Sequence, residues 1–101
     1  GFRLRSKWSF GDATQRANIV ECIDILPEIN TLVVAFRGSK CIFYDINRKH
    51  NTDPIQVLKT GGHPWFVPDF ITLNHDYFAL SGRKPSAVFV WNWRKGVRLC
   101  S

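Results

Sequence analysis

The chain has 101 residues, 45% of them hydrophobic and 14% aromatic, which sets a ceiling of one modest domain and is too apolar for intrinsic disorder. Fourteen Lys and Arg against eight Asp and Glu give a net charge of +6 and a pI near 9.7, a balance that favours acidic protein surfaces, nucleic acid or phosphorylated lipid headgroups as partners. No apolar run approaches the roughly 20 residues of a membrane-crossing helix, and the opening residues, with Arg3, Arg5 and Lys7 but no apolar stretch behind them, are not a secretory signal.

Taken in order, the chain reads as short β-strands separated by turn residues. Residues 2–10 are expected to form one strand, followed by a connection up to residue 18. Residues 19–26 are rich in strand-formers and stop at Pro27-Glu28-Ile29-Asn30; residues 31–37 form a second strand, closed by Gly38-Ser39; residues 40–46 form a third. A polar stretch with Arg48, Lys49 and His50 leads to a short alternating strand over 55–59, which Gly61-Gly62-His63-Pro64 breaks. Strands over 66–73, 77–81 and 87–93 follow, with turns at Asn74-His75-Asp76 and Arg83-Lys84-Pro85, and residues 97–100 begin a further edge strand. No segment has the length and 3.6-residue period of a helix.

Comparing the chain with itself shows an internal repeat. Residues 20–45 align with residues 67–92 at an offset of 92 − 45 = 47, without a gap. Val20 falls beside Val67, Ile23 beside Phe70, Leu32 beside Ala79, Arg37 beside Lys84, Ser39 beside Ser86, Phe43 beside Val90, Tyr44 beside Trp91 and Asp45 beside Asn92. One small four-stranded sheet cannot bury both of its faces, so repeated units of this length suggest radial stacking. A β-sandwich with similar strand spacing is the competing architecture.

The second unit carries the motifs of a known family most clearly. Gly62-His63 precedes its inner strand, Ala79-Leu80-Ser81-Gly82 gives a small-residue second strand, and Val88-Phe89-Val90-Trp91-Asn92 ends the third; the first unit has Tyr44-Asp45 at the last position and Arg16-Ala17 near the first. In these features the chain resembles the WD40 repeat family over nearly its whole length. The resemblance implies an all-β fold of antiparallel four-stranded blades of a β-propeller, about two blades being present. The implied division places the outer strand of a preceding blade and its connection in residues 1–18, a first blade in 19–60, and a second blade with the start of the next outer strand in 61–101. It also implies a structural set of His63, Ser81 and Trp91 joined by hydrogen bonds, with Pro85 standing where the family often has an Asp. Two blades cannot close a ring, so the remaining blades are expected in the same full-length chain or on partner chains. A chain that opens on Gly1 and contains no methionine is expected to be a fragment.

The residues give no catalytic constellation. Ser81, His63 and Asp69 supply the residue types of a triad, but the resemblance gives His63 and Ser81 structural roles. The three histidines are scattered without metal-ligand spacing, Gly61-Gly62 lacks the Lys and Ser/Thr of a phosphate loop, and no cofactor or metal is expected. Cys22, Cys41 and Cys100 are too few and too far apart for a disulfide framework, which points to a reducing compartment, cytoplasmic or nuclear. Glu21 and Asp24 are read either as partners for basic residues or as polar strand positions, and Asp45 as a cap on the turn after the third strand.

The basic loops remain. Arg37 and Lys40 flank one turn between second and third strands, and Arg83 and Lys84 lie in the next. In a propeller these turns share an edge with the connections into the inner strands, which carry Arg16 and Trp65. Arg16, Arg37, Lys40, Trp65, Arg83 and Lys84 are therefore the candidate partner-binding rim, Arg and Trp being favoured interface anchors. The expected function is a non-enzymatic protein–protein interaction scaffold or adaptor. The resemblance adds that such propellers serve as substrate-recognition parts of larger complexes such as ubiquitin ligases. Binding of nucleic acid or anionic phospholipid by the basic surface is the alternative.

Overall fold

The computed structural model describes residues 19–38, 40–47, 53–60 and 65–100. They form two four-stranded antiparallel sheets, each with its strands in chain order. The first contains β1 (Val20–Leu26), β2 (Thr31–Phe36), β3 (Lys40–Asp45) and β4 (Gln56–Lys59); the second contains β5 (Val67–Leu73), β6 (Tyr77–Arg83), β7 (Ala87–Asn92) and β8 (Val97–Cys100). The eight strands fall where the runs of β-branched and aromatic residues put them, within two residues at each end. The expected strand over 2–10, Arg16 and the Gly62-His63 pair lie outside the described residues.

The turns follow from local chemistry. Pro27 opens a single 3-10 turn over Pro27–Ile29, and Asn30 closes it in the left-handed region at φ 53° and ψ 41°, which Asn tolerates better than most residues. The corresponding turn of the second sheet is held by Asn74, whose Oδ1 accepts the backbone N–H groups of Asp76 (3.0 Å) and Tyr77 (2.7 Å), an Asx turn. Asp45 acts as expected after β3: its Oδ1 accepts the Asn47 N–H at 2.9 Å.

The two sheets stack with their first strands side by side and running in the same direction. At one end the Gly38 N–H donates to the Phe66 carbonyl (2.7 Å), next to the start of β1, where Ile19 accepts the Arg37 N–H (2.9 Å). At the other end Asp24 accepts the Leu73 N–H (3.1 Å). Further out, Gln56 Nε2 donates to the Trp93 carbonyl (2.9 Å) and the Arg98 guanidinium to the Thr60 carbonyl (2.7 Å), which lays β4 along β8. Between the sheets lies one core, with Val33, Ala35, Cys41, Phe43 and Leu58 from the first and Ile71, Leu73, Phe78, Leu80 and Trp91 from the second. Six rings run through it in sequence. Trp93 stacks on Phe43 (5.0 Å between centroids), Phe43 meets Phe78 edge-on (5.2 Å), Phe78 stacks on Trp91 (5.6 Å), Trp91 on Phe89 (5.8 Å), and Phe89 meets Phe66 edge-on (5.7 Å). Such geometries add about 0.5–1.5 kcal/mol per pair to area burial. A smaller cluster of Val34, Phe36 and Tyr44 lies on the other face of the first sheet.

The gapless offset of 47 is corrected by this packing. Because the sheets stack in the same direction, the face that the first turns inward is like-handed with the face that the second turns outward. Tyr44 points out of the stack and Trp91 into it, so their equivalence stands. Leu32 and Ala79 break the rule, because both lie on outer faces. Tyr44 is opposite Leu32 and Trp91 opposite Phe78, so Leu32 corresponds to Phe78, an offset of 78 − 32 = 46. Ile25 is opposite Leu32 and Leu73 opposite Phe78, so Ile25 corresponds to Leu73, an offset of 73 − 25 = 48. The first hairpin spends two extra residues in its turn. Ile23 and Phe70 likewise face out of opposite ends of the stack and are not counterparts.

Candidate partner-binding edge

One edge of the stack is formed by the starts of β1 and β5 and the turns that follow β2 and β6. The Gly38–Phe66 backbone bond holds the Arg37-to-Lys40 turn against the residue after Trp65, and Val67 is the register partner of Arg83. Arg37, Lys40, Trp65, Arg83 and Lys84 therefore lie along the same edge. Trp65 is 57% exposed, and Lys40 places its ammonium 5.0 Å from the centre of the Phe36 ring. Lys84 is exposed on a turn with φ 65° that precedes the cis Lys84–Pro85 bond. Gly38, at φ 98°, supplies the left-handed conformation its turn needs, which a side chain would strain.

The two arginines are held by carboxylates of their own sheets. In β1 the pairs Val20–Phe36 and Cys22–Ala35 leave Glu21 as the extra residue of a bulge, and in β5 the pairs Pro68–Gly82 and Phe70–Ser81 leave Asp69 in the same position. A bulge re-aims the side chain of its extra residue. Glu21 Oε1 accepts from Arg37 Nε (3.1 Å) and Nη2 (2.8 Å), and Asp69 pairs with Arg83. Of the two readings open for Glu21, the basic partner is the one realised. Asp24 takes neither role: it accepts the backbone N–H groups of Ile25 and Leu73. The sequence offered no sign of that cross-sheet bond, because nothing in the spacing tells which backbone lies opposite.

Ser81 and Trp91 do not join in a hydrogen-bonded set. Ser81 is the partner of Phe70 and Val88 on the outer face of the second sheet, whereas Trp91 is the partner of Phe78 on the inner face. The indole that does bond across a hairpin is Trp93, whose Nε1–H donates to the Asn74 carbonyl at 2.9 Å. His63 lies outside the described residues.

At the other edge Arg94 sits 4.9 Å from the centre of the Trp93 ring and donates to the His75 carbonyl. Asp76 and Lys95 are exposed nearby, so charges of both signs meet there. Desolvation, with Glu21 and Asp69 adding a smaller effect, pushes the Cys22 thiol up to about 11, and burial raises Cys41 further. Both are poor nucleophiles at neutral pH, because the thiolate is the reactive form. Among the described residues no group of three or more His, Cys, Asp or Glu is placed to hold a metal, and no helix is long and apolar enough to cross a membrane.

The described residues form an all-β fold of two stacked, four-stranded antiparallel sheets, a form consistent with a protein-interaction module. The chain matches no family model, no curated protein and no solved structure.

Proposed function

We propose that this chain is a non-enzymatic interaction scaffold or adaptor of WD40-like build, binding an acidic segment of another protein along the edge that carries Lys40, Trp65, Arg83 and Lys84. The observation that carries the reading is the convergence of those residues on one edge of a rigid sheet pair, with Gly38 bonded to Phe66 and Arg83 opposite Val67. A rigid scaffold that presents loop residues is a common basis for recognition. Trp65 supplies contact area, the two lysines supply charge, and Glu21 and Asp69 hold the neighbouring guanidinium groups in position. Work as the substrate-recognition part of a larger intracellular complex, such as a ubiquitin ligase, fits this reading and the resemblance to WD40 repeats.

The net charge of +6, with Arg94 and Lys95 on the opposite edge, supports a second reading in which the basic surface takes nucleic acid or anionic phospholipid. The experiment compares a poly-glutamate peptide, a short DNA duplex and phosphatidylserine vesicles as probes, each at low and high salt. The first reading expects peptide binding that is lost in the K40E/R83E/K84E variant and weakened by Trp65→Ala. Binding of duplex or vesicles that collapses as salt rises favours the second reading. Peptide affinity unchanged in the charge-reversed variant rejects the edge.

A further inference from the structure

The turn between β6 and β7 runs Arg83-Lys84-Pro85-Ser86, and all four residues are exposed. Gly82 is opposite Ala87, so Arg83 and Ser86 stand at the two ends of the turn, on the partner-binding edge. Of all the serines and threonines in the chain, Ser86 alone has cations at both the second and the third position before it. The other hydroxyls among the described residues are less open to an enzyme. Thr31 and Thr60 are buried, Ser81 is half-buried on β6, and Thr72 is paired with Ala79 inside the second sheet. A hydroxyl at the end of a surface turn is accessible in a way that one along a paired strand is not.

Cations just before an exposed serine have a chemical meaning. Kinases select substrates partly by charge pattern, and carboxylates lining a substrate cleft bind guanidinium and ammonium groups through charge-assisted hydrogen bonds. Lys84 is exposed on the turn. Arg83 is paired with Asp69, but the two side chains are 59% and 45% exposed, and so open a pair couples weakly and gives way to another partner. A phosphate on Ser86 would bring a charge of about −1.5 to −2 at neutral pH. Asp69 already offsets one of the turn's two positive charges, so the modified turn becomes negative. Like charges facing each other across an interface oppose binding, and the edge then repels the acidic segment it otherwise attracts.

We propose that Ser86 is a phosphorylation site for a basophilic serine kinase and that its phosphate switches off the partner-binding edge. The switch rests on the reading of that edge as a site for acidic segments. In the step itself Ser86 Oγ attacks the γ-phosphorus of ATP. The new O–P bond replaces the bond to the β-phosphate oxygen, ADP leaves, and the hydroxyl proton passes to the kinase's catalytic aspartate. The phosphate's oxygens then compete with Asp69 for the Arg83 guanidinium.

The test incubates the chain with the catalytic subunit of cAMP-dependent protein kinase, a basophilic enzyme, and Mg·ATP. Tandem mass spectrometry locates the phosphate, and titration with the poly-glutamate peptide follows at low salt. Phosphate is expected on Ser86, added about tenfold more slowly in the R83Q/K84Q variant. The modified chain should bind the peptide about tenfold more weakly or worse, and phosphatase treatment should restore the affinity. Ser86→Ala should bind the peptide like the parent and keep that affinity after kinase treatment. No phosphate at Ser86 overturns the site. Phosphate at Ser86 with unchanged peptide affinity overturns the switch. Failure of the unmodified chain to bind the peptide overturns the reading of the edge and the switch with it, while the mass measurement at Ser86 stands by itself, so the two failures are distinguishable.

Discussion

The carboxylate of Asp24, on β1, accepts the backbone N–H of Leu73, on β5, at 3.1 Å while also accepting the Ile25 N–H at 2.9 Å. One side chain thus fixes the separation and the direction of the two inner strands at the end away from the Gly38–Phe66 bond. Hydrogen bonds to a charged acceptor contribute about 1.5–3 kcal/mol when buried, and partial solvent access at Asp24 reduces that. Asp24→Ala is expected to cost about 1–2 kcal/mol in urea unfolding, with Asp24→Asn, which keeps an acceptor, costing less than half as much. Equal losses for the two variants would show that the bond to Leu73 contributes little.

Gly82 permits the close approach of β5 and β6. A Cβ built there would lie 2.4 Å from the Val67 carbonyl oxygen and 2.6 Å from the Phe66 ring. The oxygen belongs to backbone in the same sheet, so relief requires the strands to part or Phe66 to leave the core. Gly82→Ala should destabilise by about 2 kcal/mol or more, in line with other overpacking changes. Ser81→Ala, next to it but on the outer face, should stay within about 0.5 kcal/mol of wild type. A large loss at Ser81 would revive the hydrogen-bonded set with Trp91 that the register argues against. Thermal melts of the two variants decide the matter.

Strand positions were legible because most strands carry β-branched or aromatic residues and are followed closely by Pro, Gly or Asn, a signal that needs no knowledge of neighbours. The edge was legible for a related reason: turns that alternate with strands must emerge on alternate edges. The facing of individual residues was not. An offset of 47 is the average of a slip to 48 in the first strands and to 46 in the second, and the slips cancel by the third strand, where Tyr44 and Trp91 match. A one-residue slip moves a side chain to the other face, so the sequence alignment put Ile23 with Phe70, which lie on faces of opposite hand in their sheets; the set of Ser81 with Trp91 came from the resemblance, and the register places those two on different faces of one sheet. The bulges at Glu21 and Asp69 were invisible for the same reason, since a bulge exists only relative to the strand opposite.

The two Arg–carboxylate pairs should differ in strength despite their similar places in the fold. Side chains of Arg37 and Glu21 are 35% and 16% exposed, against 59% and 45% for Arg83 and Asp69. Exposed pairs typically couple by about 0.2–1 kcal/mol and are screened by salt. A double-mutant cycle with Glu21→Gln and Arg37→Met should give about 1 kcal/mol, persisting as salt is raised. The cycle with Asp69→Asn and Arg83→Met should give under about 0.5 kcal/mol and vanish in high salt. A coupling at Asp69 equal to that at Glu21 would show that burial does not govern these pairs.

Thiol chemistry reads the packing directly. Cys100 is exposed, Cys22 is half-buried and Cys41 lies in the core, so a thiol reagent at pH 8 should modify Cys100 first, Cys22 far more slowly and Cys41 only on unfolding. The Cys22 thiol, held up to about 11 chiefly by desolvation and then by Glu21 and Asp69, has about a hundredfold less thiolate at that pH than a thiol at its ordinary value of 9.0, a gap of two pH units. The same shift makes stability depend on pH. Below pH 9 both folded and unfolded thiols are protonated and the contribution is fully present. Between about 9 and 11 only the unfolded chain releases its proton, so stability falls as pH rises. Cys22→Ser should flatten part of that alkaline decline, and the urea midpoint measured from pH 8 to 11 checks it. An unchanged slope in the variant, or Cys22 labelled as fast as Cys100, would place Cys22 outside the packed face between the sheets.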